Sequence, residues 1–270
     1  MPSQYEFALE VKGLSKTYTQ GLWWQKKFHC RALDNVSLTL RAGETLAVVG
    51  KSGSGKTTLA MCLVGLEEPD TGNLLLEGQS LSSLSKRARV AAQRQIQLIF
   101  QDSAGALNPR MTAAEIVEEP LLIHGQDTAA ERAGAAETMI ERVGISPRWK
   151  HRLAHEFSGG QRQRLAIARA LVMRPKVIVL DEIFVGLDLS IQGQIANLLL
   201  DLQQTHGLSY LCISHDLSLV GQIADEVVVM DRGRILTPGP DVFKRKHASR
   251  RTASIASPTH EESRGAYSGM

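Results

Sequence analysis

Thr45-Leu46-Ala47-Val48-Val49 runs directly into Gly50-Lys51-Ser52-Gly53-Ser54-Gly55-Lys56-Thr57, and this stretch decides the fold of the chain. The first five residues form a short, mainly apolar run, which is typical of a strand buried on both faces. The next eight fit the pattern G-x-x-x-x-G-K-[ST], and Thr57 to Val64 has helical composition. A buried strand, a glycine-rich turn and a helix in this order predict a phosphate-binding loop in an α/β fold.

The glycine-rich segment has the chemistry of a nucleotide cradle. Glycines let the backbone wrap closely, so that successive N–H groups point at phosphate oxygens, and the following helix N-terminus adds a favourable dipole. Lys56 is expected to reach the β- and γ-phosphates of ATP, and the Thr57 hydroxyl is expected to bind Mg²⁺. A chance glycine-serine turn is the alternative, but the flanking strand and helix argue against it. The predicted nucleotide-binding residues are Gly50, Lys51, Ser52, Gly53, Ser54, Gly55, Lys56, Thr57 and Thr58.

A second apolar run, Val177-Ile178-Val179-Leu180, ends in two carboxylates, Asp181 and Glu182. The carboxyl ends of strands are where open α/β sheets bind their ligands. We predict that Asp181 holds Mg²⁺ and that Glu182 orients and deprotonates the attacking water. Alone, the pair would be interpreted as solvated acids at the end of a strand. Beside a phosphate loop it predicts a P-loop nucleotide hydrolase, a class that also includes kinases, GTPases and helicases.

The remaining pattern predicts an α/β protein with a mainly parallel sheet and helices on both faces. Alternating apolar residues indicate two half-buried N-terminal strands that form an antiparallel β subdomain at the edge of the core, with a long loop over residues 20–31 between them. Residues 85–143 are rich in Ala, Glu, Arg and Gln and predict helices, whereas Ser209–Ile213 predicts another buried strand. We expect an ATPase domain over residues 1–240, with a helical subdomain inserted at about residues 85–160.

Composition limits the possible functions. The 270 residues are 43% apolar and 22% charged, as in ordinary soluble proteins. Residues 241–270, predicted to be a disordered basic tail, carry the whole net charge of +3, which leaves 25 basic and 25 acidic residues elsewhere and no indication of a nucleic-acid-binding face. The 3 cysteines are widely spaced and predict neither disulfides nor a metal site. The sequence shows no export signal and no membrane-spanning run, so we expect any membrane role to come through a partner.

A third segment, Phe157-Ser158-Gly159-Gly160-Gln161 followed by a helical stretch, separates this chain from other P-loop proteins. Ser158 is a typical N-cap residue, and two glycines at a helix start leave bare N–H groups that suit an anion. The segment resembles the signature of ATP-binding cassette (ABC) proteins. In that family the signature binds the γ-phosphate held by the partner subunit, so that two ATP molecules are sandwiched in a head-to-tail pair. The resemblance assigns this role to Ser158, Gly159, Gly160 and Gln161.

Other segments follow the order of ABC motifs and carry roles that the resemblance implies. Tyr18 looks like the adenine-stacking ring. Gln101, after Ile99-Phe100, looks like the glutamine that meets Mg²⁺ and water and reports nucleotide state to the helical subdomain. His215 looks like the switch histidine that contacts the γ-phosphate. Asp188 looks like the aspartate of the loop that communicates between subunits.

Within the family, the chain resembles the nickel and oligopeptide importer branch, and its short length is most like the nickel-type second ATPase. The resemblance implies an ATPase on the cytoplasmic face of a bacterial inner membrane that imports nickel, another metal complex or short peptides. Its implied partners are a second ATPase subunit, in a heterodimer as the first expectation and a homodimer as the alternative, two permease subunits and, indirectly, a substrate-binding protein. Ile183 and Val185 depart from the Pro and Ser usual in the family, so we expect one of the two composite sites to be weaker. A soluble cassette ATPase that acts on DNA or ribosomes is the alternative.

Overall fold

A computed structural model describes residues 5–20, 28–102, 105–125 and 128–236 of the protein. Ten strands and seven α-helices lie in these ranges. The strands are β1 Phe7–Gln20, β2 Phe28–Arg41, β3 Thr45–Val49, β4 Thr71–Leu76, β5 Gln79–Ser80, β6 Ile96–Ile99, β7 Val177–Asp181, β8 Ser209–Ser214, β9 Glu226–Asp231 and β10 Arg234–Leu236. The helices are α1 Lys56–Val64, α2 Lys86–Gln93, α3 Ala113–Ile123, α4 Ala129–Arg142, α5 Gly159–Leu171, α6 Leu189–His206 and α7 Leu217–Ile223. The predicted tail at 241–270 lies outside the described residues.

The larger sheet has the strand order β10-β9-β3-β8-β7-β6 and is parallel except for the β10 edge. Strand β3 lies near its centre, where Val48 pairs with Ile213 on one side and Val228 on the other. Every residue of β3, β7 and β8 is buried, as expected for strands that are covered on both faces. The predicted mainly parallel sheet is therefore confirmed.

The N-terminal strands form a separate four-stranded antiparallel sheet with the order β2-β1-β4-β5, which confirms the predicted antiparallel β subdomain. The predicted loop over residues 20–31 is wrong at its ends, because Gln20 ends β1 and Phe28 begins β2. These strands remain paired as far as Gln20 and Phe28. The tryptophans at 23 and 24 lie outside the residues that the structure describes.

Strand β6 corrects the helical prediction for residues 85–143. Ile96 to Ile99 pair in parallel with Val177 to Leu180 of β7, so a strand of the main sheet interrupts the predicted helical stretch. Pairing with a buried neighbour overrides the local helical composition. Helices α3 and α4 follow β6, and α2 precedes it. The outer boundaries of the inserted helical subdomain remain a prediction.

Helices α3 and α4 begin with the same reciprocal cap. In each, a threonine hydroxyl accepts a hydrogen bond from the backbone N–H of the glutamate three residues later, and the glutamate carboxylate accepts one from the threonine N–H at 2.7 Å. These hydrogen bonds lower the pKa of both glutamates. The pairs are Thr112 with Glu115 and Thr128 with Glu131. Such caps satisfy backbone groups that a helix start leaves unpaired.

The parallel sheet is packed between two apolar cores. On one face, Val48 and Ile213 lie with α1 and the antiparallel sheet. On the other, Val49 and Leu180 lie with α3 to α6. Successive side chains of a strand point to opposite faces, so each strand contributes to both cores and holds its carboxyl end rigidly. Within the described ranges, no helix is long and apolar enough to cross a bilayer.

Candidate functional site: a nucleotide half-site and a separate helix start

The glycine-rich loop joins the carboxyl end of β3 to α1, and its glycines are required by close backbone approaches. Gly53 and Gly55 have φ angles of 77° and 105°, in the left-handed region that favours glycine. A Cβ on Gly50 would lie 2.2 Å from the Met230 carbonyl oxygen. A Cβ on Gly55 would lie 2.3 Å from the carbonyl oxygen of Ala32. Strands β2 and β9 thus hold the loop tightly from outside.

The Lys56 ammonium lies over this loop. It donates hydrogen bonds to the carbonyl oxygens of Gly50 at 2.7 Å and Lys51 at 3.0 Å, and the residue is only 7% exposed. The Ser54 hydroxyl is buried and finds no hydrogen-bond partner among the described residues. A buried cation and an unpaired hydroxyl beside a tight glycine turn suit the phosphate groups of a nucleotide. Lys51, Ser52, Gly53 and Thr57 are exposed around them.

Asp181 ends β7 and approaches the same loop. The Thr57 side chain lies close enough to this carboxylate to favour its charged form, and Asp181 is 4% exposed. Its Oδ1 has no hydrogen-bond partner in the described part of the chain. Burial raises the pKa of Asp181, and nearby Glu182 adds to this, whereas Thr57 and Lys56 oppose it. A buried carboxylate oxygen without a partner, next to a hydroxyl, fits the oxygen ligands that Mg²⁺ prefers.

Glu182 and His215 are brought together although they are 33 positions apart. The two carboxylate oxygens of Glu182 lie 2.9 and 2.8 Å from the Nδ1 atom of His215. Glu182 has a φ of 53°, in a region that a long side chain rarely adopts, and its N–H donates to the Ile213 carbonyl oxygen at 3.0 Å. Such backbone strain clusters at functional sites. The contact was not visible in the sequence, which gave each residue a separate role.

Gln101 is the least connected of the predicted catalytic residues. It follows β6, the strand beside β7, and its side chain is exposed. No hydrogen bond joins it to Thr57, Asp181 or Glu182 within the described ranges. Its position at the carboxyl edge of the sheet agrees with the predicted role, which stays a prediction.

The predicted signature begins α5. The Ser158 hydroxyl accepts a hydrogen bond from the Gln161 N–H at 3.3 Å, and the Gln161 side-chain oxygen accepts one from the Ser158 N–H at 3.0 Å. Around Gly159 the space for a Cβ is open, whereas a Cβ on Gly160 would lie 2.8 Å from the Cγ2 atom of Ile191. The second glycine is therefore needed by packing against α6. Sequence reasoning assigned both glycines to phosphate and missed this contact.

Asp188 has a local role that the sequence analysis also missed. It is the N-cap of α6, and its Oδ1 accepts a hydrogen bond from the Ile191 N–H at 2.9 Å. Because Ile191 contacts Gly160, the starts of α5 and α6 lie side by side. Asp188 is exposed at this place. Its predicted part in nucleotide binding across subunits remains a prediction.

Tyr18 lies in β1, paired with Cys30 of β2. The Lys16 ammonium lies 5.4 Å from the centre of the Tyr18 ring, within cation–π range. Lys16 in turn forms an ion pair with Glu67 at 2.9 Å, just after α1. The sequence singled out the ring and missed the lysine, whose signal was its position two residues earlier on the same strand face. The predicted adenine stacking on Tyr18 remains a prediction.

Comparison with known proteins decides the family. The sequence model of the ABC transporter family matches residues 33–185, which include the phosphate loop, the signature and the Asp181–Glu182 pair. This chain belongs to the ABC transporter family. The ABC protein is 43% identical over 234 residues to the oligopeptide transport ATP-binding protein AppF of Bacillus subtilis, covering 86% of this chain and 71% of AppF. It is also 43% identical over 261 residues to the glutathione import ATP-binding protein GsiA of Salmonella paratyphi A. That match covers 95% of this chain but 42% of GsiA.

Solved structures agree with this assignment. The ATP-binding cassette MJ0796, in a dimeric post-hydrolysis state bound to ADP and phosphate, matches with a TM-score of 0.72 and 29% identity over 84% of this chain and 96% of MJ0796. CbiO1 of Clostridium perfringens, part of the transporter complex CbiONQ, matches with a TM-score of 0.74 and 28% identity over 86% of this chain and 88% of CbiO1. The predicted ABC ATPase fold is confirmed. The present chain is an ATPase that uses ATP with Mg²⁺. The residues around Lys56 fit the phosphates of ATP, and those around Asp181 fit Mg²⁺.

Proposed function

We propose that this chain is the ATP-hydrolysing subunit of a bacterial ABC importer for short peptides or peptide-like molecules. The observation that carries the proposal is the group formed by the phosphate loop, Asp181 and the Glu182–His215 contact, at the carboxyl edge of a rigid parallel sheet. It provides a phosphate cradle, a fitting Mg²⁺ ligand set and a base. The relatives AppF and GsiA are named for oligopeptide transport and glutathione import, and this supports a peptide-like cargo over nickel, the other cargo that we predicted.

The residues divide the chemistry among themselves. Lys56 and the N–H groups of the loop neutralise phosphate charge, and Thr57 and Asp181 hold Mg²⁺, which supplies further neutralisation of charge at the reacting phosphate when it is bound. Glu182 accepts the proton of the attacking water. His215 holds the Glu182 carboxylate by the hydrogen bond at Nδ1. Gln101 lies at the neighbouring strand end, where it would report the state of the site to the helical region.

The chain supplies only part of each complete site. The signature helix start is formed by α5, whereas the phosphate loop starts α1, so we propose that each serves a different ATP in a head-to-tail pair of ATPase subunits. A second, non-identical ATPase chain is the expected partner, with two permease subunits and, indirectly, a substrate-binding protein. Val185, which is 43% exposed next to Asp188, is where we expect the two composite sites to differ. In this proposal the chain acts at the cytoplasmic face of the inner membrane and does not bind nucleic acid.

A glutamine in place of Glu182 tests the enzymatic part. In the intact complex, Glu182→Gln should lower kcat for ATP at least about 100-fold, since a general base contributes about 10²–10⁴-fold, while ATP binding and ATP-dependent pairing persist. Glu226→Gln serves as the matched control, because Glu226 begins β9 and so lies at the opposite edge of the parallel sheet from the site. Undiminished steady-state hydrolysis by the Glu182 variant would remove Glu182 from the role of base.

The cargo is tested on the intact complex with its binding protein. We expect purification followed by mass and metal analysis to yield short peptides or glutathione-like thiols. Nickel in stoichiometric amount would replace the peptide proposal by the nickel one. ATPase activity stimulated by DNA or ribosomes, with no permease in the purified complex, would contradict the importer proposal altogether.

A further inference from the structure

Arg164 lies on the signature helix and connects three helices. Its Nη1 donates a hydrogen bond to the carbonyl oxygen of Val143, the C-cap of α4, at 2.8 Å. Its Nη2 donates to the Oε1 atom of Gln194, in the second turn of α6, at 3.1 Å. Val143 is fully buried, and burial lowers the pKa of the Arg164 guanidinium. One planar side chain thus joins the end of α4, the middle of α5 and the start of α6.

The partners of this arginine are neutral. In the described part of the chain, no carboxylate lies within ion-pair distance of Arg164, and both acceptors are amide oxygens. An arginine placed to neutralise charge would face an acid. A guanidinium is planar and presents its N–H donors at fixed angles. By bridging two amide oxygens it fixes the positions of the two helices relative to each other.

Gly144 is fitted to the same side chain. It follows the end of α4 with a φ of 77°, and a Cβ at this position would lie 2.6 Å from the Arg164 Nη1 atom. A methyl group there would displace the guanidinium from the Val143 carbonyl. Gly144→Ala therefore breaks the contact without changing Arg164 itself, but it also strains the backbone at this positive φ, so its stability is measured together with its association.

The position of Arg164 relates it to the signature. Gly160 and Arg164 are four residues apart and so lie on one face of α5, where Gly160 contacts Ile191 and Arg164 contacts Gln194. Ile191 and Gln194 are three residues apart on α6. The two contacts form one seam, which sets how the start of α5 stands beside the start of α6.

We infer that Arg164 is a positioning residue for the pairing of the two ATPase subunits: it holds the signature helix start in the orientation that receives the partner's nucleotide. The inference rests on the proposed head-to-tail pairing. Arg164 touches no part of the phosphate loop, so its loss should weaken pairing and leave the binding of nucleotide to this chain's own loop unchanged.

Arg169 offers a matched control. It lies on the same helix and forms a comparable side-chain link, donating to the Glu119 carboxylate of α3 at 2.8 Å. It lies farther along the helix than the Gly160–Arg164 seam. Arg169→Gln shows what the loss of a more exposed helix-linking arginine does to association, and thermal unfolding of both variants shows how much of any difference is a loss of stability.

The experiment uses the full-length chain with Glu182→Gln to retain ATP, alone and mixed with the second ATPase subunit of its complex. Light scattering measures association against ATP concentration, TNP-ATP titration measures binding to the single chain, and thermal unfolding reports stability. Arg164→Gln should raise the ATP concentration for half-maximal association about tenfold, as expected for the loss of about two hydrogen bonds, and Gly144→Ala should raise it about threefold, for the loss of the one to Val143. Arg164→Lys keeps one donor group, so its ATP concentration for half-maximal association should lie between those of the parent and Arg164→Gln. The TNP-ATP affinity of each variant should differ from that of the parent by less than about twofold.

The outcomes separate the inference from the proposed function. If the Glu182→Gln parent associates with ATP and Arg164→Gln does so as well as Arg169→Gln, the positioning role is overturned and the proposed function stands. An equal loss of association and of TNP-ATP affinity would also overturn it, because it would show general damage. If the Glu182→Gln parent does not associate with ATP, either alone or with the second ATPase subunit, the proposed pairing is wrong and so is the inference that rests on it.

Discussion

Gly160→Ala tests whether the second signature glycine is required by the fold itself. A Cβ at this position would lie 2.8 Å from Cγ2 and 3.3 Å from Cδ1 of Ile191. Ile191 cannot turn aside cheaply, because a β-branched side chain on a helix has one strongly preferred rotamer. Gly159→Ala, one residue earlier, is the matched control, since a Cβ there meets nothing within 4 Å.

The expected loss of stability is a balance of two effects. Overpacking costs about 1–3 kcal/mol, whereas replacing glycine by alanine in a helix contributes up to about 1 kcal/mol in the other direction. Gly160→Ala should therefore lose roughly 1 kcal/mol, or about 2–4 °C in Tm for a chain of this size. Ile191→Ala removes the clashing atoms, so in that background the same Gly160→Ala change should raise Tm instead.

Thermal unfolding of nucleotide-free chains is the measurement, because it avoids any effect of alanine on phosphate binding. The four chains of a double-mutant cycle are wild type, Gly160→Ala, Ile191→Ala and the double variant, with Gly159→Ala measured beside them. The change of sign between backgrounds is the decisive result. If Gly160→Ala is at least as stable as the wild type, and Ile191→Ala does not alter its effect, the packing argument is wrong.

Two further predictions concern the nucleotide half-site. Burial raises the pKa of Asp181 above its unfolded value, so the folded chain binds more protons between these two values, and its stability falls as pH rises through that window. Asp181→Asn should remove this slope, raise the Tm of the nucleotide-free chain at pH 7 and abolish the Tm increase given by Mg²⁺ and ATP; a lower nucleotide-free Tm would contradict this. Tyr18→Ala should weaken ATP binding about 5- to 100-fold in calorimetric titration, since stacking contributes about 1–3 kcal/mol per base. Tyr18→Phe should bind ATP as the wild type does, and equal affinity of all three chains would exclude stacking.

The sequence predicted those parts of the fold that local pattern determines. The strand before Gly50 and the strand before Asp181 are continuous apolar runs, and both are buried central strands. The strand Ile96–Ile99 was not predicted, because four residues are too few to stand out from the helical composition around them. Their structure depends on pairing with β7, more than 75 positions later, and such a partner is not visible in a short window.

The candidate site divides in the same way. Motif spacing predicted that Lys56, Thr57 and Asp181 lie together, as they do, because such motifs are tied to a strand–turn–helix unit. It could not show that the Glu182 carboxylate faces His215, since that contact depends on the register of β7 and β8. Nor could it show that Asp188 caps α6. The sequence predicted the residue types of the site but not the contacts that those residues form with other helices and strands.

Three α-helices in the described part of the chain begin with the same reciprocal cap, but one differs in charge. The α3 and α4 caps use Glu115 and Glu131, whereas the α5 cap uses Gln161 with the same hydrogen-bond pattern. A carboxylate cancels the partial positive charge of a helix start within the chain itself, and an amide does not. The partial positive charges at the starts of α3 and α4 are therefore compensated by Glu115 and Glu131. The exchange of one oxygen for one nitrogen leaves the start of α5 with a partial positive charge that its own cap does not compensate, which agrees with the proposed binding of the partner's nucleotide there.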